Sequence, residues 1–261
     1  MRSPVVRSFS REPERVTRTV RPLCMSRFAA RSFTRLLPGW RRRKALLWLL
    51  PVFAVSAVAA YDFDRLQQLL VARFGAGQVP LLQEWRRVLA DAAGPKLNER
   101  QKLTRINDFF NRRVEFLEDQ VIWAQSDYWA TPLETIGQGR ADCEDYAIIK
   151  YFSLKDAGVS QEKLRLVYVK ARIDGPGGPH LQAHMVLAYY PTPDAEPLVL
   201  DNLVPEIRTA SQRKDLHPVF SFNSEAIWSG VAGNATKGRG GTGQLSRWQD
   251  LLNRARSEGF E

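Results

Sequence analysis

The sequence predicts an α+β fold in which a group of helices is followed by an antiparallel sheet in one domain. After residue 60, the first half has apolar residues at helical spacing. The second half has short runs of β-branched and aromatic residues separated by Gly/Pro turns. The chain has 261 residues, of which 44% are hydrophobic, so it can bury a core of ordinary size. This composition excludes a chain that is disordered throughout.

Residues 1–60 form a basic leader that ends in an apolar run. Residues 1–44 hold 13 Lys+Arg against 2 Asp+Glu, whereas the remaining 217 residues hold 25 against 26. Residues 45–60 carry no charge, and the small residues at their end resemble a signal-peptidase site. These 16 residues are few for a membrane span, so we expect a cleaved secretory signal, with an uncleaved inner-membrane anchor as the alternative. Either way, the rest of the chain is expected outside the cytoplasm.

Five segments that follow the leader have apolar residues on one helical face. Their ends carry typical helix-terminal residues, such as Asn98 as an N-cap and Gly75 or Gly94 after a last turn. The predicted helices are residues 62–74, 80–93, 98–116, 132–136 and 143–155. The last of these follows a glycine-containing loop and has a cysteine in its first turn.

Strand-forming runs and turns alternate in the second half. A Gly/Pro hairpin loop separates the first two runs, and a glycine-rich stretch with few apolar residues precedes a short amphipathic helix at the end. The predicted strands are residues 164–173, 183–190, 198–203 and 218–227, and the predicted terminal helix is residues 245–255.

The cysteine content limits the chemistry of the chain. Two cysteines exclude a disulfide scaffold and a four-cysteine zinc site. Because Cys24 lies in the leader, Cys143 is the only thiol expected in the exported protein. A helix N-terminus stabilises a thiolate, and an imidazole can accept the thiol proton and return it to a leaving group. His184 near the start of one strand and Asp201 after the next strand can supply the imidazole and its orienting carboxylate.

Each of these three residues also has a structural interpretation, which is the more common one for a residue taken alone. A cysteine at a helix start and a histidine in a strand are usually packing residues, and an aspartate before an asparagine is usually a turn residue. Their order along the chain, on a helix, a strand and a strand, favours a Cys143–His184–Asp201 triad. The other histidines, His180 and His217, lie beside glycine or proline and are expected at the surface.

Three short blocks of sequence carry a family resemblance. The blocks are Asp142-Cys143-Glu144-Asp145-Tyr146-Ala147 with Lys150-Tyr151, His184-Met185-Val186-Leu187, and Leu200-Asp201-Asn202. They resemble the bacterial transglutaminase-like cysteine proteinases of the LapG type, and the resemblance extends over residues 62–222. It implies a papain-like or transglutaminase-like core, with N-terminal helices and the nucleophile helix packed on an antiparallel sheet. It also implies the triad of Cys143, His184 and Asp201.

The resemblance further implies a function, a cofactor and partners. Proteinases of this type are periplasmic and calcium-dependent, and they cut the N-terminal region of a large repeat-rich surface adhesin, commonly at a di-alanine site. The cut releases the adhesin and promotes biofilm dispersal. An inner-membrane cyclic-di-GMP receptor sequesters the protease. The predicted domains are a leader at residues 1–60, the protease domain at 61–229, and a Gly-rich segment with a short helix at 230–261.

Three acidic residues, Asp142, Glu144 and Asp145, surround the predicted nucleophile. One interpretation is helix capping, because acidic residues are favoured in a first helical turn. However, a carboxylate at ~7 Å and an effective dielectric of ~20 opposes the thiolate by roughly 2 kcal/mol. A bound hard cation would cancel this field, and carboxylate oxygens are calcium ligands. Together with the resemblance, this predicts Ca²⁺ bound by Asp142, Glu144 and Asp145.

Two other functions use the same residues. A transglutaminase-type acyltransferase would share the triad and the acyl-enzyme, with an amine as the acceptor in place of water. A non-catalytic, calcium-dependent periplasmic binding module would need the acidic residues but not the triad. Nucleic-acid binding is disfavoured, because the chain after the leader has almost no net charge.

Overall fold

The computed structural model describes residues 61–229, 236–237 and 245–260. The predicted leader at residues 1–60, with its cleavage site, and most of the glycine-rich stretch lie outside these residues. Within the described ranges, no helix combines the length and the apolarity that crossing a membrane requires.

Helices make up most of the first half, as predicted. The helix α1 begins after Asp62, whose side chain accepts a hydrogen bond from the Arg65 N–H, and Asn98 forms a capping box with Gln101. The helices are α1 (Phe63–Phe74), α2 (Val79–Ala93), α3 (Glu99–Arg113), α4 (Asp119–Ile122), α5 (Pro132–Gln138), α6 (Cys143–Asp156) and α7 (Ser246–Glu258).

The strands form one large antiparallel sheet and one small parallel pair. The large sheet has the order β6-β5-β4-β3-β7-β8-β9, and β1 pairs with β2. The strands are β1 (Glu115–Phe116), β2 (Arg140–Ala141), β3 (Leu164–Gly175), β4 (Gly178–Tyr189), β5 (Leu198–Leu200), β6 (Arg208–Thr209), β7 (Leu216–Phe222), β8 (Ile227–Ser229) and β9 (Thr236–Lys237).

The helix α6 lies at the centre of the core. It is buried on most of its surface, with Ile148, Tyr151 and Phe152 in the core, because it packs on β4 and also contacts α3 and α5. The terminal helix α7 joins the same core through Trp248 and Leu251. This packing fixes the first turn of α6 beside the sheet.

Several predicted elements have other bounds in the structure, such as the strand predicted at residues 198–203, which is β5 (Leu198–Leu200). Two of these differences have a clear physical cause. The helix predicted to reach residue 116 ends at Arg113, because Glu115 and Phe116 pair as β1 with β2, the strand that leads into α6. The strand predicted over residues 218–227 is two strands, β7 and β8. A turn separates them, in which the Asn223 side chain accepts hydrogen bonds from the N–H groups of Glu225 and Ala226. In both cases pairing between strands overrides a pattern read along the chain.

Replacing Gly137 with alanine is expected to destabilise the fold. A Cβ at Gly137 in α5 would overlap the ring of Phe74 in α1, so that ring or the helix that carries it would have to move. We expect the free energy of unfolding to fall by about 1–3 kcal/mol, measured by urea denaturation. Gly77→Ala is the matched control, because no atom lies within 4 Å of a Cβ there. Equal unfolding midpoints for the two variants would contradict this close packing.

Candidate active site

Cys143 is the first residue of α6, where Asp142 serves as the N-cap. The Asp142 carboxylate accepts the Asp145 N–H at 3.3 Å, so the capping predicted for this position is present. The Cys143 thiol is free and half-buried, and it lines a cavity of about 380 Å³. His184 lines the same cavity.

The side chains of His184 in β4 and Asp201 just after β5 are within hydrogen-bonding distance of each other. The Nε2 atom of His184 lies 2.8 Å from Oδ1 of Asp201, and both side chains are buried. Asp201 directly follows β5, which pairs with the end of β4. Because Nε2 is engaged by the carboxylate, Nδ1 is the ring nitrogen left for another partner. His180 and His217 are exposed, as predicted.

A buried arginine holds the other oxygen of Asp201. The Arg213 Nη2 donates to Oδ2 of Asp201 at 2.7 Å. Burial alone would raise the pKa of Asp201, but the hydrogen bond to His184 and the charges of His184 and Arg213 lower this pKa to about 2. Asp201 is therefore an ionised carboxylate throughout the physiological range of pH.

Three carboxylates converge beside the thiol. Among the described residues, Asp119, Asp142 and Glu144 each offer an oxygen within 4.8 Å of the others. Asp119 was not among the predicted ligands. Asp145 lies outside this group of three. Its Oδ1 accepts the Ala130 N–H at 2.7 Å, and its role as a ligand stays a prediction.

Comparison with known proteins identifies the family. Residues 89–219 match the family described as bacterial transglutaminase-like cysteine proteinase BTLCP. The chain belongs to this family. It is thus a cysteine proteinase with a transglutaminase-like core, and the predicted α+β fold class is confirmed.

Solved structures of a LapG protein are similar to this proteinase over most of their length. LapG of Legionella pneumophila is 35% identical, with a TM-score of 0.61, over 75% of this chain and 98% of that chain. An EGTA-treated form of LapG matches with a TM-score of 0.63, and a calcium-bound form with 0.60. No curated protein matches the sequence.

The acidic cluster opposes ionisation of the proteinase thiol. Burial and the charges of Glu144 and Asp142 raise the pKa of Cys143, and its S–H donates to a Glu144 oxygen at 2.7 Å. Burial and the neighbouring carboxylates also raise the pKa of Asp142 to about 10. Without a compensating positive charge, this arrangement keeps the thiol protonated.

The carboxylates of this proteinase fit a hard cation. The cluster offers only oxygen ligands, which is the donor set that calcium prefers. In addition, Oδ1 of Asp119 and Oδ2 of Asp145 are buried and have no hydrogen-bond partner. A buried carboxylate oxygen without a partner costs free energy, and coordination of a cation would remove that cost.

Lys150 and Asn111 support the main chain at Asp201. Lys150 Nζ donates to Oδ1 of Asn111 at 2.7 Å and to the Asp201 carbonyl at 3.2 Å, and Asn111 Nδ2 donates to that carbonyl at 2.8 Å. Burial lowers the pKa of Lys150 to about 7. The sequence placed Lys150 in a family block without giving it a role, and it contained no sign of Asn111.

Proposed function

We propose that this proteinase is a calcium-dependent endopeptidase whose nucleophile is Cys143, with His184 as general base and Asp201 as the residue that orients it. The observation that carries the proposal is the 2.8 Å contact between His184 Nε2 and Asp201 Oδ1. It leaves Nδ1 of His184 as the basic nitrogen in a residue that shares a cavity with the Cys143 thiol.

The proposed reaction is an acyl transfer to water. Nδ1 of His184 accepts the thiol proton, the sulfur attacks the peptide carbonyl, and the imidazolium then donates the proton to the leaving amine. Asp201 stabilises the imidazolium and holds its tautomer. The backbone N–H of Cys143 has no partner within α6, since it is the first residue of the helix, and it can donate to the oxyanion. Water then hydrolyses the thioester.

Asp119, Asp142 and Glu144 would hold the calcium ion, with Asp145 as the further predicted ligand. A bound ion would supply the positive charge that cancels the field of these carboxylates at the thiolate. The contact between the Cys143 thiol and Glu144 indicates why this matters, because the same carboxylate that would bind the cation otherwise accepts the thiol proton in a hydrogen bond.

We further propose that the substrate is the N-terminal region of a large repeat-rich adhesin and that cleavage takes place in the periplasm. An inner-membrane cyclic-di-GMP receptor would control access to the protease. These proposals are supported by the family membership, the 35% identity to LapG and the basic leader followed by an apolar run.

The test is to incubate the purified protein with the N-terminal fragment of the adhesin, with and without calcium, and to measure product masses. An endopeptidase produces two fragments whose masses sum to that of the substrate plus one water. An acyltransferase would instead produce a crosslink or a loss of ammonia. An intact substrate retained on the protein would indicate the binding module.

Asp119→Asn is expected to weaken calcium binding by at least about tenfold, because calcium affinity depends on the number of charged ligands. Isothermal titration calorimetry measures this directly. Glu118→Gln is the matched control, since Glu118 lines the same cavity but lies outside the group of three carboxylates. Equal affinities for the two variants would remove Asp119 from the site.

A further inference from the structure

A buried guanidinium joins Asp201 to a second carboxylate. Arg213 Nη2 lies 2.7 Å from Oδ2 of Asp201 and 2.7 Å from Oδ2 of Asp215, and Arg213 Nε lies 3.0 Å from the other Asp215 oxygen. The Arg213 side chain is 2% exposed and that of Asp201 is fully buried, whereas Asp215 is 36% exposed. The network therefore runs from beside His184 towards the solvent.

The two carboxylate oxygens of Asp201 accept hydrogen bonds from different donors. Oδ1 faces His184 and accepts the Leu203 N–H at 3.1 Å, while Oδ2 accepts from Arg213. Oδ2 takes its 2.7 Å hydrogen bond from Arg213. Without Arg213, Oδ2 would be a buried, charged oxygen without a hydrogen-bond donor, which is costly in free energy. The carboxylate would then rotate to bring Oδ2 to a new donor. That rotation would take Oδ1 away from His184.

Stability alone is a weak reason for this arrangement. Replacing a buried ion pair with well-packed apolar residues is often neutral or stabilising, because taking two charges out of water is costly. The contact of Arg213 with a second carboxylate, that of Asp215, affects the charge at the site. Asp215 offsets the charge of Arg213, so that the charge of Asp201 stays available to an imidazolium on His184.

We propose that Arg213, held in place by Asp215, is a positioning residue that fixes the orientation of the Asp201 carboxylate and, through it, the Nε2-protonated tautomer of His184. The proposal rests on the proposed function, since it concerns the residue that orients the proposed base. The sequence contains no motif at Arg213, which lies 12 residues after Asp201 in a loop.

The test uses the full chain with calcium present and ¹⁵N-labelled histidine. The chain has three histidines, and the exposed His180 and His217 serve as internal references. Long-range ¹H–¹⁵N spectra report the tautomer of neutral His184, and the rate of Cys143 alkylation by iodoacetamide at pH 7 reports its nucleophilicity. For wild type, we expect one Nε2-protonated signal for His184.

Arg213→Met is expected to convert that signal into a mixture of tautomers and to slow alkylation by about 10- to 100-fold, as for loss of a charged hydrogen bond. Arg213→Lys restores part of both readouts. Asp215→Asn, at a partly exposed position, should change the tautomer signal and the alkylation rate in the same direction but by less. It replaces Arg213→Met as the test if Arg213→Met does not fold. Arg113→Met is the matched control, since Arg113 makes a similar two-bond contact with Glu84 at the surface.

Two results are distinguishable. A folded Arg213→Met or Asp215→Asn variant with a wild-type tautomer and alkylation rate would overturn the positioning role and leave the proposed function intact. The proposed triad itself is contradicted if wild-type His184 lacks the Nε2-protonated signal. It is also contradicted if iodoacetamide alkylates Cys143 no faster in the wild type than in His184→Ala.

Discussion

Cys143→Ala is expected to reduce cleavage by at least about 10⁴-fold, since removal of the nucleophile leaves only binding and oxyanion stabilisation. The fold should be preserved, because the half-buried side chain loses only its sulfur and α6 keeps its N-cap at Asp142. The measurement is the initial rate of adhesin-fragment cleavage, with thermal unfolding as the check on the fold. Substrate binding should survive the change.

Cys24→Ala is the matched control for this variant. Cys24 is the other cysteine of the chain, it lies in the predicted leader, and we expect no effect on the rate. Cleavage that persists in Cys143→Ala, at a rate near that of Cys24→Ala, would show that the nucleophile is assigned wrongly.

Removal of calcium is expected to reduce activity by roughly 10³-fold. The Glu144 carboxylate lies 2.7 Å from the Cys143 sulfur, so without a cation it opposes the thiolate by at least about 4 kcal/mol, and each 1.4 kcal/mol corresponds to a factor of about ten. The measurement is the cleavage rate in excess EGTA, followed by addition of calcium or magnesium. Calcium should restore the rate and magnesium should not, because magnesium requires a near-ideal octahedral site and keeps several of its waters.

The control for this experiment is EGTA that has been saturated with calcium beforehand, which should leave the rate unchanged. Glu118→Gln should respond to EGTA in the same way as wild type, because Glu118 is outside the acidic cluster. Full turnover in excess EGTA would refute the calcium requirement.

Much of the fold could be predicted from local patterns. The α1 and α2 helices and the β3–β4 hairpin follow from apolar spacing, the glycines after the helices and a Gly/Pro turn, all of which act within a few residues. The end of α3 could not be predicted in this way. The helical pattern continues past Arg113, but pairing of Glu115 with Arg140 in β2 ends the helix. That pairing joins segments 25 residues apart and leaves no signal in either one.

At the candidate site, too, some residues could be predicted from the sequence and others could not. Cys143, His184 and Asp201 were predicted from their residue types and their places on a helix and two strands, and the structure brings His184 and Asp201 into contact. Arg213 and Asp119 were not predicted. An arginine in a loop and an aspartate at the start of a short helix are ordinary surface residues in a sequence, and only their burial beside other charges makes them notable.

The sequence by itself determined the proteinase family, the order of helices before strands and the residues proposed for the triad, because these depend on residue type and on spacing along the chain. Only the tertiary structure decided which oxygen of Asp201 faces His184, which arginine holds the other oxygen, and which carboxylates share one cluster. The physical reason is that hydrogen bonds and charge interactions depend on distances of a few ångströms in space. Folding sets those distances between residues that lie far apart in the chain.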